Sequence, residues 1–212
     1  MAAPVLGRAR CPRAYTAIMD DWAARVGTTA TEAMALLLDA VEQVPPEVWD
    51  RPSNLDGWSV RDLVGHATGS AAKMVTLVEN GELWGPSEPA DWVSAEPVAR
   101  LHELAARLRD ALPGADLDAP RVSPEGEVPL RRALTYPVSD LVLHSWDLHR
   151  TQGRSVELPD DLLAFCRGLV GSVPEDRLRR PGGFGPARPA PPRSRPPARL
   201  MVHLGRSVDE GA

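Results

Sequence analysis

The chain has 212 residues, which is enough for one domain with a substantial buried core. Hydrophobic residues make up 43% and charged residues 25%, a composition typical of soluble globular proteins. A net charge of −5 gives no general electrostatic basis for nucleic acid binding, and no apolar run of about 18 residues predicts a membrane span. The two cysteines, Cys11 and Cys166, do not indicate a disulfide framework. We therefore expect a cytoplasmic protein without a nucleic acid or membrane partner.

The first residues do not resemble a targeting sequence. Residues 1–18 contain basic residues and no acid, but they lack the continuous apolar segment of a secretory signal. Met19 opens a more conventional beginning, MDDWAARVG. Residues 1–19 are therefore predicted to be a disordered leader, with a mis-assigned start before Met19 as the alternative.

Two long helices are predicted in the first part of the folded chain. Apolar residues recur at helical spacing over residues 28–43, where two prolines then end the helix. Ser59 is predicted to cap the second helix, with Asp62 in the capping-box position. This second helix is expected to end near residues 80–81.

Two more helices are predicted in the middle of the chain, over residues 96–112 and 130–152. Pro137 falls inside the later helix, so either the helix is kinked there or it begins nearer Ser139 after an earlier turn. The segment RVSPEGEVPL, which precedes it, is predicted to be a short hairpin or an ordered loop.

The C-terminal part differs in composition. A fifth helix is predicted over residues 159–173. Residues 179–197 are rich in Pro, Gly and Arg, which is typical of an extended linker. From Arg177 to the end there are eight arginines and two acids, so this region is basic. A last short helix over residues 198–204 is expected to pack back on the body.

These elements predict an all-α fold built on a four-helix bundle. We assign residues 20–155 to the bundle, 156–206 to a C-terminal helical and Pro/Gly/Arg-rich extension, and 207–212 to a disordered tail. Bundles of this size often dimerise through an apolar helix face, so a homodimer is an open expectation.

One pair of side chains has the spacing of metal ligands. Asp140 and His144 are four residues apart on one predicted helix, so both side chains leave the same face about one turn apart. A carboxylate and an imidazole at that spacing can bind a divalent metal ion. His66, in the middle of the second helix and beside the small Gly65, is the natural third ligand.

Each of these residues also has a structural interpretation. His144 could be a hydrogen-bonded core histidine, and Asp140 could be a surface residue or a cap. Asp147, three residues after His144, could orient a ligand histidine; alternatively, it pairs with Arg61, Arg150 or a helix end.

Trp58 and Arg61 stand at the start of the second helix and are further candidates for supporting the site. For Trp58 a packing role is preferred over ligand contact. His149 is expected to point elsewhere, and His102 and His203 are predicted to be surface residues.

The motifs resemble a known family. GWSVRDLVGHATG (57–69) and LVLHSWDLHRTQG (141–153) are similar to two signatures of the DinB-like, mycothiol-dependent maleylpyruvate isomerase superfamily. The tail motifs FGP (184–186) and ARLMVHLGR (198–206) resemble those of an uncharacterised bacterial subfamily described as metal-binding. The resemblance covers about residues 28–206.

The resemblance implies a DinB-like four-helix bundle with a divalent metal, usually zinc, held by two histidines and a glutamate. By position these are His66, His144 and Asp140, so an aspartate stands where the family has a glutamate. Aspartate is one methylene shorter, which leaves metal identity open among zinc, nickel and manganese.

The family's isomerases use the thiol mycothiol, whose thiolate adds to a cis double bond, permits rotation and then leaves. The resemblance therefore implies a thiol-dependent isomerase or transferase acting on a small molecule. A non-catalytic metal-binding or stress-related protein with a degenerate or empty site is the alternative. A third possibility, in which the basic tail binds an acidic partner, is weaker because a solvated linker explains the same composition.

Overall fold

The computed structural model describes residues 25–83, 88–123, 126–179 and 183–208. The predicted leader at 1–19, Cys11 and residues 209–212 of the predicted tail lie outside the described residues. Within the described ranges, no helix is both long and apolar enough to cross a membrane.

Helices dominate the described residues, so the all-α class is confirmed. The α-helices are α1 (Val26–Glu42), α2 (Val60–Val78), α3 (Pro89–Trp92), α4 (Pro97–Ala111), α5 (Leu130–Ala133), α6 (Thr135–Thr151), α7 (Asp160–Ser172), α8 (Glu175–Leu178) and α9 (Pro196–His203). Two 3-10 turns, Pro46–Val48 and Leu112–Gly114, and two strands, β1 (Pro120–Ser123) and β2 (Gly126–Pro129), complete the list.

Four of these helices form the bundle. Helix α6 packs against both α1 and α2, and α4 packs against the same two helices from the other side. Helices α1 and α2 therefore occupy opposite corners and touch little. This arrangement makes α2 and α6 direct neighbours, so side chains on their facing surfaces can meet.

The start of α2 follows the prediction from the sequence. Ser59 Oγ accepts a hydrogen bond from the Asp62 backbone N–H, and the Asp62 carboxylate accepts one from the Ser59 backbone N–H at 2.9 Å. This capping box satisfies two amide groups that the first turn leaves unpaired. It fixes the beginning of the helix, and Leu63 and Met74 then lie in the core.

Pro137 does not kink a continuous helix. The chain breaks between α5 and α6 at Leu134, and Pro137 is the third residue of α6. In the first turn its missing N–H costs no intrahelical hydrogen bond. The alternative of an earlier turn is therefore correct, although the helix begins at Thr135 and not near Ser139.

The segment between α4 and α5 forms an antiparallel hairpin, in which Pro120 pairs with Pro129. Arg121, on its first strand, is buried, and its Nε donates to the Leu77 carbonyl at 3.0 Å. The hairpin therefore satisfies one of the last carbonyl groups of α2.

The C-terminal extension packs closely on the bundle. Helix α7 contacts α1 and α6, and Leu200, Met201 and Val202 of α9 are buried. Between α8 and α9, described residues 183–195 have no helix or strand, but Phe184 packs against the core. The expected return of the last helix is thus observed, while the domain boundary at residue 155 stays a prediction.

Helix α9 is secured by hydrogen bonds to the preceding extended segment. The Arg188 backbone N–H donates to the Val202 carbonyl at 2.8 Å. Arg179 donates from Nη2 to the His203 carbonyl at 2.7 Å and from Nη1 to the Gly185 carbonyl.

The chain leaves α9 through Gly205, which has φ +86°. A Cβ there would lie 2.9 Å from Gly185. Only glycine fits both the positive φ and the close approach to Gly185. The chain can therefore turn here and direct Arg206 back into the bundle.

Candidate functional site

His66 and His144 meet between α2 and α6. Their ring centroids are 4.9 Å apart, and the rings are nearly perpendicular, at 88°. His144 is buried, whereas His66 is partly exposed. The structure therefore brings together two of the three predicted ligands, on facing surfaces of neighbouring helices.

Trp58 lies against the same histidine pair. Its ring centroid is 4.8 Å from that of His66, at an interplanar angle of 47°. It also packs against the hydrophobic core. Trp58 thus combines the expected packing role with direct contact to a candidate ligand.

Gly65 lets another segment approach α2 beside His66. A Cβ at this position would lie 2.8 Å from the Pro89 carbonyl oxygen and 3.1 Å from Val93 Cγ2. The residues of α3 and its C-terminal end therefore cover α2 closely at the position next to the histidine.

Asp140 lies one turn away from the histidine pair on α6. Its Oδ2 accepts a hydrogen bond from Ser70 Oγ at 3.1 Å. His66 faces His144 and Ser70 faces Asp140, so α2 and α6 run antiparallel. As its side chain is oriented, Asp140 does not join the histidines: no group of three His, Cys, Asp or Glu side chains in the described ranges is close enough to hold a metal.

Lys73 is the chain's only lysine and lies one turn beyond Ser70 on α2. Burial lowers the pKa of Lys73, and the charge of nearby Asp140 partly offsets that shift. Beyond Ser70, the interface between α2 and α6 therefore carries a lysine and a carboxylate close to each other.

Asp147 supports His144 from the inner side. His144 Nδ1 and Asp147 Oδ2 are 3.0 Å apart, and the aspartate side chain is fully buried. Arg206 Nη2 donates to the same oxygen at 3.1 Å, and Asn54 Nδ2 donates to Oδ1 at 2.9 Å. The proposed contact with a ligand histidine is present, and the aspartate's cationic partner is Arg206 rather than Arg61 or Arg150.

The charge state of Asp147 follows from these contacts. Complete burial by itself raises its pKa, but the positive charge of Arg206 and the interactions with His144 outweigh that effect. The pKa of Asp147 is therefore held well below its ordinary range. Because an ionised carboxylate can only accept hydrogen bonds, the contact places a proton on His144 Nδ1, and in a neutral imidazole the lone pair is then on Nε2.

Arg61 does not take part in this arrangement. Its Nε donates to Asp50 at 2.9 Å, and its guanidinium lies 5.8 Å from the centroid of the Trp49 ring. Arg61 was predicted to support the site, but its contacts are with Asp50 and Trp49 instead.

The remaining histidines lie outside the pair. His102 is exposed and 2.8 Å from Glu42, and His203 is exposed. His149 is buried on α6, where desolvation and then the charge of Arg154 lower its pKa. The surface positions predicted for His102 and His203 are confirmed.

Cys166 cannot supply a reactive thiolate to the site. It has no exposed surface, its sulfur lies 4.0 Å from the Ser139 carbonyl, and burial raises its pKa to about 12. The thiolate is the nucleophilic form of cysteine, so Cys166, the cysteine within the described ranges, is not a source of nucleophilic sulfur for this site.

Three supporting residues were missed from the sequence. Ser70 could have been found, since it follows His66 by four residues and so shares its helix face. Asn54 and Arg206 gave no comparable signal, because they lie 93 and 59 residues from Asp147 along the chain.

The donor types suit a divalent ion. Two imidazoles in contact, one of them with an oriented Nε2, are the nitrogen ligands that zinc prefers. The third predicted ligand, Asp140, would join them only if its carboxylate moved closer to the two rings. The chain therefore supplies two nitrogen ligands in contact, and an oxygen ligand one turn away on α6.

The comparisons with known proteins decide the family. The model of the mycothiol maleylpyruvate isomerase N-terminal domain matches residues 30–149, which include all of α2 and α6 as far as His149. The chain belongs to this family. The match contains His66, Asp140 and His144.

The chain is also similar to two mycobacterial proteins over most of its length. Two uncharacterized proteins from two strains of Mycobacterium tuberculosis are each 32% identical over 187 residues, covering 84% of this chain and 94% of theirs.

Solved structures show the same fold. Two crystal structures of the mycothiol-dependent maleylpyruvate isomerase, one carrying a histidine-to-alanine substitution, both superpose with a TM-score of 0.54. They are 18% and 17% identical, and each alignment covers 68% of this chain and 67% of the other. The DinB-like bundle predicted from the motifs is thus confirmed.

Proposed function

We propose that this protein is a thiol-dependent enzyme of the isomerase or transferase type, acting on a small molecule at the interface of α2 and α6. The observation that carries the proposal is the contact between His66 and His144, with His144 Nδ1 bound to a buried carboxylate. Membership of the family supplies the chemical class.

In this proposal His66, His144 and Asp140 hold one divalent ion, with zinc preferred and nickel or manganese as alternatives. Imidazole nitrogens paired with a carboxylate oxygen suit all three metals. A bound ion would lower the pKa of a thiol such as mycothiol and hold its thiolate for reversible addition to a double bond.

The chain's own residues have separate tasks. Asp147 keeps the His144 proton on Nδ1 and so leaves Nε2 directed away from the carboxylate. Trp58 and the segment at Pro89 limit access of water to the His66 side. Lys73 places a positive charge near the outer end of the interface, where it can attract an anionic substrate.

The test is turnover with a defined thiol and substrate. Zinc-loaded protein is incubated with mycothiol and maleylpyruvate, and formation of the trans isomer is followed by proton NMR. We expect thiol-dependent conversion that is lost in His66→Gln and His144→Gln, while the exposed His102→Gln control keeps it. Absence of thiol-dependent conversion by the loaded wild-type protein contradicts the isomerase assignment.

The hydrogen bond from Ser70 to Asp140 favours one second function, a non-catalytic protein with a degenerate metal site. If Asp140 keeps the orientation in which it bonds Ser70, it does not join the two histidines. Ser70→Ala separates the two functions, because it releases Asp140. Tighter zinc binding in this variant without thiol-dependent turnover would favour the second function.

A further inference from the structure

The side chain of Asp147 is the most deeply buried charged group at the site. Its carboxylate has no exposed surface and lies in the last two turns of α6, 3.0 Å from His144 Nδ1. A buried carboxylate remains ionised only when cations and hydrogen-bond donors surround it. The groups that surround Asp147 therefore decide how firmly it can hold His144.

Arg206 is the cation among those groups, and it comes from the C-terminal extension rather than from the bundle. Its guanidinium spans the carboxylate: Nη2 is 3.1 Å from Oδ2, and Nε is 3.5 Å from Oδ1. Nη1 donates to the Leu204 carbonyl at 3.2 Å, and the guanidinium lies 5.2 Å from the centroid of the Phe184 ring.

These contacts leave Arg206 little freedom to act directly. Its side chain is only 6% exposed, and its three guanidinium nitrogens each have a partner within the chain. A substrate would have to displace Asp147 to be bound by this guanidinium. Arg206 is therefore placed to act through Asp147 and not by touching reactants.

The Asp147 carboxylate transmits this constraint to His144. One oxygen is shared by Arg206 and His144, and the other is held by Asn54 at 2.9 Å. With both oxygens fixed, His144 Nδ1 has one well-defined acceptor, which sets both the ring orientation and the tautomer. Among the described arginines, Arg206 is the one that forms an ion pair with this carboxylate.

We infer that Arg206 is a positioning residue for His144, so that docking of the C-terminal extension completes the site between α2 and α6. The effect of Arg206 on function rests on the proposed function, because the orientation of His144 matters for activity only if its Nε2 binds a metal or a reactant. Its structural part concerns the metal-free protein and can be measured without turnover.

The extension contains a matched control. Arg179 also holds the extension, through the carbonyls of Gly185 and His203, but its contacts do not reach Asp147. Arg206→Gln removes the contact with the carboxylate, whereas Arg179→Gln removes hydrogen bonds within the extension and an ion pair with Glu175. Comparing the two variants separates the Asp147 contact from general loosening of the extension.

The first readout is the tautomer of His144 in metal-free protein, from long-range ¹H–¹⁵N spectra assigned with His144→Gln. The second is the zinc dissociation constant, from competition with a chelator. We expect wild type and Arg179→Gln to hold the Nδ1–H tautomer. Arg206→Gln should show mixed tautomers and about 10–100-fold weaker zinc binding, as is usual when support of a metal-bound histidine is lost.

An Arg206→Gln variant that keeps the single tautomer and binds zinc as tightly as Arg179→Gln overturns the inference. If this variant does not fold, Arg206→Lys replaces it, because one ammonium cannot span both carboxylate oxygens. Wild-type behaviour of Arg206→Lys in both readouts is then the contradicting result. Absence of zinc binding by the wild type counts against the proposed function instead, and the tautomer still decides the role of Arg206.

Discussion

Replacing Gly65 by alanine tests the close packing beside His66. The added Cβ would lie 2.8 Å from the Pro89 carbonyl oxygen, a backbone atom that cannot rotate aside, and 3.1 Å from Val93 Cγ2. Forcing an extra carbon into a packed interface costs about 1–3 kcal/mol. Alanine recovers about 1 kcal/mol of helix propensity, so the net loss of unfolding free energy should be about 0–2 kcal/mol.

Gly171 in α7 provides the matched control. Nothing lies within 4 Å of the position that its Cβ would occupy, so Gly171→Ala should raise the unfolding free energy by up to about 1 kcal/mol. Urea unfolding followed by circular dichroism measures both variants. The unfolding free energy of Gly171→Ala should exceed that of Gly65→Ala by about 1–3 kcal/mol, because only the Gly65 variant has the steric clash. Equal stabilisation by both substitutions would refute the packing of Pro89 and Val93 against α2.

Three further predictions concern single side chains. Cys166 should resist iodoacetamide at pH 8 in the folded protein, because burial raises its pKa to about 12; peptide mass spectrometry that finds it labelled without denaturant contradicts this. His149 has a lowered pKa, so the unfolded chain binds more protons and stability should fall as the pH drops through about 6.5. His149→Gln should flatten this dependence in unfolding curves, and an unchanged slope counts against the argument. Ser59→Ala should cost about 1 kcal/mol by removing the cap, and an unaltered urea midpoint would contradict it.

The bundle could be predicted from local patterns because its helices are amphipathic and clearly ended. Ser59 with Asp62 marked the start of α2, and the capping box is present. The effect of Pro137 on the helix was harder to predict. A proline is compatible with either a kink or a first-turn position until the preceding turn is known. The break at Leu134 selected the first-turn position.

Spacing placed Asp140 and His144 on one helix face, and His66 was predicted as their partner on a facing helix, whereas the orientation of the side chains around them could not be predicted. Helical periodicity places Asp140 on the face of His144, but it does not choose between a rotamer toward the histidines and one toward Ser70.

The ion pair between Arg206 and Asp147 depends on how the extension folds back over the bundle. Its Pro-, Gly- and Arg-rich composition predicts a linker and contains no information about that path. Contacts of this kind are set by tertiary packing, which no local pattern encodes.

The most direct test of the account is the zinc content of tag-free protein, measured by elemental analysis beside His144→Ala and the exposed control His102→Ala. The account predicts about one zinc ion per chain in wild type and His102→Ala, and loss of the metal in His144→Ala. A wild-type protein that holds no zinc, nickel or manganese after incubation with each would contradict the claim that His66 and His144 form a metal site.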